Sequence, residues 1–369
     1  MPYYLHHYFD PYFDFQNLKP REIEGGRVDH YNLGYVQNVI YGQVIAEWKE
    51  IAPEEVDQYD QNFIYDQKKF PIGPNCAVNP QNENQLIATA NGYVFYYDGK
   101  IAVKTVLNVR RDVDFHTGNI YFVGDMIVHG TVRSAFEIRA YNIRVKGLVE
   151  GARVEAGGSI VIEGGIKGAN QGKIKVGENL RTPFCEMAEL VVHKKLIIDG
   201  LCLHSTLYVG NYIMIKGKLM GGNVCSSGLV YVEKQLGGGM GTKTSLILGY
   251  DALLYREVLE IEQSLYDLEK DIAHLKALVQ KGDEYEEEYG QKLQLAEKKF
   301  EIYKKKKDDL WSKIESDFNK KAKVVCPGEV RPGVEIKMGS ALYKVDDFMR
   351  DVCFYLDRDE IKVKSPAVN

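Results

Sequence analysis

The sequence predicts a mainly β protein: a parallel β-solenoid of about 17 residues per turn, interrupted by an antiparallel coiled-coil hairpin. Three observations carry this. An apolar-x-apolar-x-Gly string recurs at nearly constant spacing through the middle of the chain. Two heptad seams follow it, separated by a short break. The first hundred residues instead mix short β-prone runs with turn residues, which marks off a small β-rich N-terminal domain.

The N-terminal domain is assigned to 1–105. Tyr3, Tyr4, Tyr8, Phe9, Tyr12, Phe13 and Phe15 make an aromatic-rich start that must pack against something. Gly34 and Gly42 punctuate short strands, and 70–75 (Phe-Pro-Ile-Gly-Pro-Asn) reads as a turn. Residues 86–97 read as two strands around Asn91-Gly92, a hairpin signal.

The solenoid is assigned to 106–250. The first apolar residue of each repeat falls at Val109, Met126, Ile143, Ile160, Leu180, Leu196, Ile213 and Val230. Two residues on come Val128, Val145, Ile162, Ile198, Ile215 and Val232, the alternation of a strand. Four residues on come Gly130, Gly147, Gly164, Gly200 and Gly217, expected to supply φ > 0 at a corner. Six residues on come Phe115, Val132, Val149, Ile166, Cys202, Leu219 and Leu236. Ile120, Val154, Leu207 and Val224 sit eleven residues on. Each period thus holds three short strands, which stack as a three-faced coil rising ~4.8 Å per turn. The turn from Leu180 follows a three-residue insertion and puts Thr182 and Phe184 at the second and glycine positions, so a local bulge is expected there.

A hairpin is assigned to 251–323. Leu254, Val258, Ile261, Leu265, Leu268, Ile272, Leu275 and Val279 alternate spacings of four and three, a heptad seam. Gln280-Lys281-Gly282-Asp283 breaks the helix. Tyr289, Leu293, Ala296, Phe300, Tyr303, Lys307, Leu310 and Ile314 form the second seam. Two similar helices with so short a link must be antiparallel neighbours. Residues 324–369 regain strand character at Val324-Val325 and 330–336. They are expected to complete or cap the solenoid, with further strands over 341–363.

Composition narrows function. No stretch approaches a membrane span, the N-terminus lacks signal-peptide character, and the six cysteines form no CxxC pair. Together these predict a reducing cytoplasm. A net charge of −5 argues against nucleic acid as the main partner.

Several strings resemble the flagellar assembly protein A (FapA) family: 86–94 (Leu-Ile-Ala-Thr-Ala-Asn-Gly-Tyr-Val), 112–114 (Asp-Val-Asp), 117–124 (Thr-Gly-Asn-Ile-Tyr-Phe-Val-Gly), 164–168 (Gly-Gly-Ile-Lys-Gly), Gly221-Gly222, 236–244 (Leu-Gly-Gly-Gly-Met-Gly-Thr-Lys-Thr) and 332–336 (Pro-Gly-Val-Glu-Ile). They run in the family's order over about residues 20–340, with the hairpin where the family places it. The first 15 residues fall outside the resemblance. It implies a bacterial cytoplasmic protein with a right-handed β-helix, linked in some members to flagellar assembly and polar function. It carries over no catalytic residue, cofactor or metal ligand.

Candidate chemistry is sparse. Residues 237–244 resemble a phosphate loop, but Thr242 separates the last glycine from Lys243 and no βαβ unit follows, so a solenoid corner is expected. His6, His7, His116, His129, His193 and His204 show no zinc-type spacing with Cys or carboxylates. Cys202 falls on an inward ladder position and reads as a small core residue. Asp112 and Asp114 could hold a cation or act as a glycosidase-like pair, yet a charged edge that blocks end-to-end pairing explains them more simply. The run 304–307 (all Lys) could touch an anionic membrane or acidic partner, but Asp308 and Asp309 dilute it, and Lys307 interrupts the apolar seam.

The expected function is therefore a non-enzymatic scaffold or adaptor. It binds protein partners through the hairpin, whose flanks carry Glu284, Glu286, Glu287, Glu288 and Lys304–Lys307, and through the solenoid faces. The alternatives are a polymer-forming solenoid like the bactofilins and a carbohydrate-active β-helix enzyme. Secreted lyases and esterases need export. Hexapeptide acyltransferases need an 18-residue turn.

Overall fold

Short strands stacked in parallel ladders make up most of the chain, as the alternating apolar pattern dictates. The computed structural model describes residues 2–23, 27–239, 241–280 and 283–365. Two compact units divide the chain, Met1–Glu189 and Leu190–Asn369.

In the first unit, Tyr3–His7, Val44–Glu50, Ile64–Tyr65, Cys76–Asn79 and Asn82–Ala88 form a five-stranded antiparallel sheet. Lys100–Lys104, Gly92–Tyr97 and Asn38–Val39 form a second, three-stranded one. Leu5, Ile45, Trp48, Leu86, Val94 and Ile101 are the buried core, and Tyr3, Tyr4 and Phe9 of the aromatic start pack on it. The expected hairpin around Asn91-Gly92 does not form. Asn82–Ala88 and Gly92–Tyr97 belong to different sheets, and the tight turn falls instead at Asp98-Gly99, both with positive φ. The Asn91 side chain accepts the Tyr41 N–H, so its polar group serves a contact distant in sequence.

Three ladders follow in this unit. Leu107, Met126, Ile143, Ile160 and Leu180 stack on the first face. Val113, Val132, Val149 and Ile166 stack on the second, and Ile120, Ile138, Val154 and Ile174 on the third. All are buried, and each contributes ~1.5–3 kcal/mol by leaving water. Two first-turn assignments need correction. Leu107, not Val109, is the partner of Met126, and Val109 pairs with Val128. The spacing there is nineteen residues, so the true second-face residue is Val113, while Phe115 stands 61% exposed. The bulge expected in the turn from Leu180 falls earlier, within the strand Ile166–Val176, where Ala169 and Asn170 take positive φ. Phe184, in place of a corner glycine, lays its ring against Gly165.

The corner glycines stack, but for a reason other than the one expected. Gly130, Gly147, Gly164 and Gly217 do not adopt left-handed φ. Each turn sets its corner backbone directly on that of the turn below, leaving no room for a side chain. A Cβ on Gly147 would lie 2.6 Å from Gly130 C, and one on Gly217 would lie 2.6 Å from Gly200 C.

In the second unit, Leu196, Ile213, Val230 and Val324 stack on the first face. Cys202, Leu219, Leu236 and Val330 stack on the second, and Leu207, Val224, Leu246 and Ile336 on the third. All are fully or almost fully buried, Ile213 and Cys202 among them. Residues 230 and 324 are adjacent rungs, so the ladder resumes in register after the helices. Strands over 341–363 form as expected. Met349–Asp357 runs antiparallel to Lys323–Val330, Glu360–Lys364 antiparallel to Met349–Asp357, and Ala341–Val345 antiparallel to Val334–Met338. The last parallel rung is thus covered by antiparallel strands.

Candidate functional site

The helical insertion is built from its root outward. Thr244–Leu248 ends the third face, and Gly249 then turns the chain out at φ +90°. A Cβ there would strike the Phe318 ring, 2.7 Å from Cζ, so only glycine fits. Asp251 caps α1 (Ala252–Val279), accepting the Leu253 and Leu254 N–H groups at 2.9 and 3.1 Å. α2 (Asp283–Ser316) returns antiparallel, and the Asn319 N–H donates to Gly249 O at 2.7 Å. The Asn319 side-chain amide also donates to Ser227 O at 2.7 Å. The two ends of the insertion are therefore hydrogen-bonded to each other.

Tyr250, Val258 and Ile314, with Ile247, Leu254, Tyr255, Leu310, Trp311 and Phe318 around them, seat this root on the strand Thr244–Leu248. The Arg256 guanidinium lies over the Tyr208 ring, 5.9 Å from its centroid. Burial, with the Asp251 charge adding to it, pushes the Cys225 thiol up to about 12. The hairpin is thus rooted by an aromatic cluster shared with the solenoid, and its seam is not its only anchorage.

Beyond the root, Ile261 and Leu265 of the predicted seam are buried and Leu268, Ile272, Leu275, Leu293, Ala296 and Phe300 half-buried, while Tyr303 is exposed. Lys307, the polar seam residue, reaches Glu262 at 3.9 Å, Lys306 pairs with Glu257 at 2.7 Å, and Lys276 with Glu297 at 2.9 Å. Half of the Lys304–Lys307 run is therefore paired within the hairpin. Lys304 and Lys305 are exposed, as are Glu286 and Glu288. Lys281 and Gly282 of the expected break, and the side chains of Glu284 and Glu287, lie outside the described residues.

The other sequence candidates are drawn into local structure. Asp112 accepts the Thr131 N–H and pairs with Arg133 at 2.7 Å, and these hold its carboxyl below the usual range. Asp114 instead caps a turn, accepting the His116 N–H at 2.8 Å. The two carboxylates thus have separate partners. His7 is half-buried among Phe9, Phe63 and Tyr96, with Nε2 2.7 Å from the Tyr96 hydroxyl, whereas His6 lies beside Tyr8. His129 lies between Asn108 and Lys146, and His204 is exposed at a positive φ. Among the described residues no three His, Cys, Asp or Glu side chains gather in a metal-binding group. Residues 237–239 and 241–243 lie between the strands Gln235–Leu236 and Thr244–Leu248, so a strand and not a βαβ unit follows. Lys243 pairs with Glu335 at 2.9 Å, and Met240 lies outside the described residues.

Sequence reasoning missed a cleft of about 1140 Å³ in the first unit. Tyr93, Phe95 and Tyr97 alternate along one strand and form an aromatic shelf, joined by Phe13, Phe15 and Tyr35. Lys104 lies over the Phe95 and Tyr97 rings at 4.7 and 5.5 Å. The only visible signal was the alternation Tyr93-x-Phe95-x-Tyr97 followed by Lys104, which by itself reads as an ordinary strand.

A family model for the flagellar assembly protein A (FapA) beta solenoid domain matches residues 105–361, well over half of the chain. No curated protein matches the chain, and no solved structure does.

Proposed function

Because this chain belongs to the FapA β-solenoid family, we propose that it is a non-enzymatic cytoplasmic scaffold or adaptor in bacterial flagellar assembly or polar placement, with the helical hairpin as its main protein-binding arm. The observation that carries this is apolar surface outside the seam. Leu259 and Tyr266 on α1, and Leu295 and Ile302 on α2, are exposed, the last two by 60% and 64%. Within each pair the residues are seven apart and share one side of their helix. Apolar groups at this spacing, set among dense charge, suit docking against a partner helix or groove.

Two observations favour an adaptor over a bactofilin-like polymer. Antiparallel strands cover the last rung of the second unit, and end-to-end growth needs that rung open. The arm also projects from a corner between the third face and the next first-face rung, where it interrupts no ladder. The separate engagement of Asp112 and Asp114 weighs against the carbohydrate-active alternative.

The test is complementation. A Gly/Ser linker replacing 266–302 keeps the root cluster and removes most of the exposed apolar surface. In a motile strain deleted for this protein, the shortened protein is expected to accumulate folded and fail to restore swimming. Full swimming would transfer the binding role away from the arm.

A further inference from the structure

We propose that the cleft of the first unit binds an extended acidic peptide, which adds as a strand to the open edge of Val106–Val109 and lays alternate side chains on the aromatic shelf. This stands independently of the arm.

Three features converge here. The strand Val106–Val109 pairs in parallel with Asp125–Val128, and among the described residues no strand pairs with its other side. Val106, Leu107 and Asn108 line the cleft, so backbone donors and acceptors of a first rung border it. An unpaired edge of this kind is what strand addition uses. Opposite stands the shelf. Tyr97 is 63% exposed and Phe15 50% exposed, although Val94 on the same strand as Tyr97 and Ile101 on the neighbouring one are buried. Aromatic side chains held on a strand by their neighbours offer rigid pockets for every second residue of an extended ligand.

Charge then selects among ligands. The charged residues lining the cleft are Lys104, Arg110, Arg111 and Asp10. Three cations against one anion, in a chain of net charge −5, is a local reversal of sign. Asp10 is partly occupied, accepting the Tyr12 N–H at 2.9 Å. The Arg111 charge acts on the buried Tyr35 hydroxyl, whose proton is held mainly by burial. Arg110 and Arg111 are exposed and can meet carboxylates at the cleft mouth. Single-stranded nucleic acid also uses cations and stacking, but it offers no N–H and C=O ladder to a strand edge. The open edge therefore favours peptide.

The test uses the full chain against an array of random decapeptides, followed by fluorescence anisotropy on the strongest. Enrichment of Asp or Glu alternating with aromatic or β-branched residues is expected. Affinity should fall about tenfold in Arg110→Glu/Arg111→Glu and about fivefold in Tyr97→Ala, and stay unchanged in Lys305→Glu on the hairpin. Methylating alternate peptide nitrogens should abolish binding, which a purely electrostatic contact would not require. The proposal is overturned by an array without acidic enrichment or without binders. Affinity unmoved by the cleft variants, or tighter binding of a ten-nucleotide oligothymidylate than of any decapeptide, overturns it equally. Thermal melts of the variants, all at exposed side chains, establish that the fold is intact.

Discussion

One added methyl tests how the corners of the solenoid are built. In Gly147→Ala the new Cβ would lie 2.6 Å from Gly130 C and 2.8 Å from Thr131 N. Neither atom can retreat freely. The Gly147 N–H donates to Gly130 O, and the Gly164 N–H to Gly147 O, each at 3.1 Å. Overpacking against fixed backbone costs ~1–3 kcal/mol, and weakening these two bonds adds ~0.5–1.5 kcal/mol for each. About 3 kcal/mol is the expected total, which lowers the melting temperature by roughly 6–12 °C for a body of this size. The control is Gly99→Ala. Gly99 has φ +70° and nothing within 4 Å of a built Cβ, so the penalty there is conformational alone, ~1–2 kcal/mol. Thermal melts followed by circular dichroism compare the two. If Gly147→Ala melts with the parent while Gly99→Ala is the worse variant, close stacking is not why the corners are glycine.

Other outcomes follow from the same geometry. Ile213 is fully buried between Leu196 and Val230, so Ile213→Asp should abolish the cooperative melt, whereas Ile213→Val should cost only ~0.5–1.5 kcal/mol. Unchanged melting of the Asp variant would show the ladder register to be wrong. Gly249→Ala should loosen the root by forcing Phe318 aside. Its check is thiol titration: Cys225 stays unreactive in the parent and reacts in the variant, and equal reactivity contradicts the cluster. His7 is held down to about 4, by burial first and then by the His6 charge. Its depressed value means that the unfolded chain takes up the proton first as pH falls below ~6.5. The His7 contribution to stability should therefore decline between about pH 6.5 and 4 and level off below, and His7→Phe should flatten the slope in that window. An identical melting-temperature profile in both proteins counts against it.

What the sequence disclosed was whatever repeats. Met126, Ile143 and Ile160 stack, and within the second unit Leu196, Ile213 and Val230 do, because strand period and turn length both leave a periodic trace. The first turn was misread by two residues, since Val109 and Leu107 are equally apolar and only pairing with Met126 distinguishes them. Glycine spacing gave the corners but not their cause, because φ and steric room leave the same letter. The seams of α1 and α2 were legible, but the root was not. Tyr208, Cys225 and Ile247 are outward residues of separate turns, and nothing local announces that helices will cover them. The cleft was hidden for the same reason. Its walls come from segments near residues 10–16, 35–37, 74–75, 93–97 and 102–111 that only folding brings together.

Whether the hairpin is an arm set into the second unit's ladders without interrupting them is tested most directly by melting the protein in which a Gly/Ser linker replaces 266–302. Residues 230 and 324 are neighbouring rungs, and the Asn319 N–H already closes on Gly249 O at 2.7 Å. Helical signal should fall in proportion to the residues removed, with the β transition retained at about the parent temperature. A protein that loses its cooperative β transition along with the arm would contradict it, and would make the helices part of the solenoid's core.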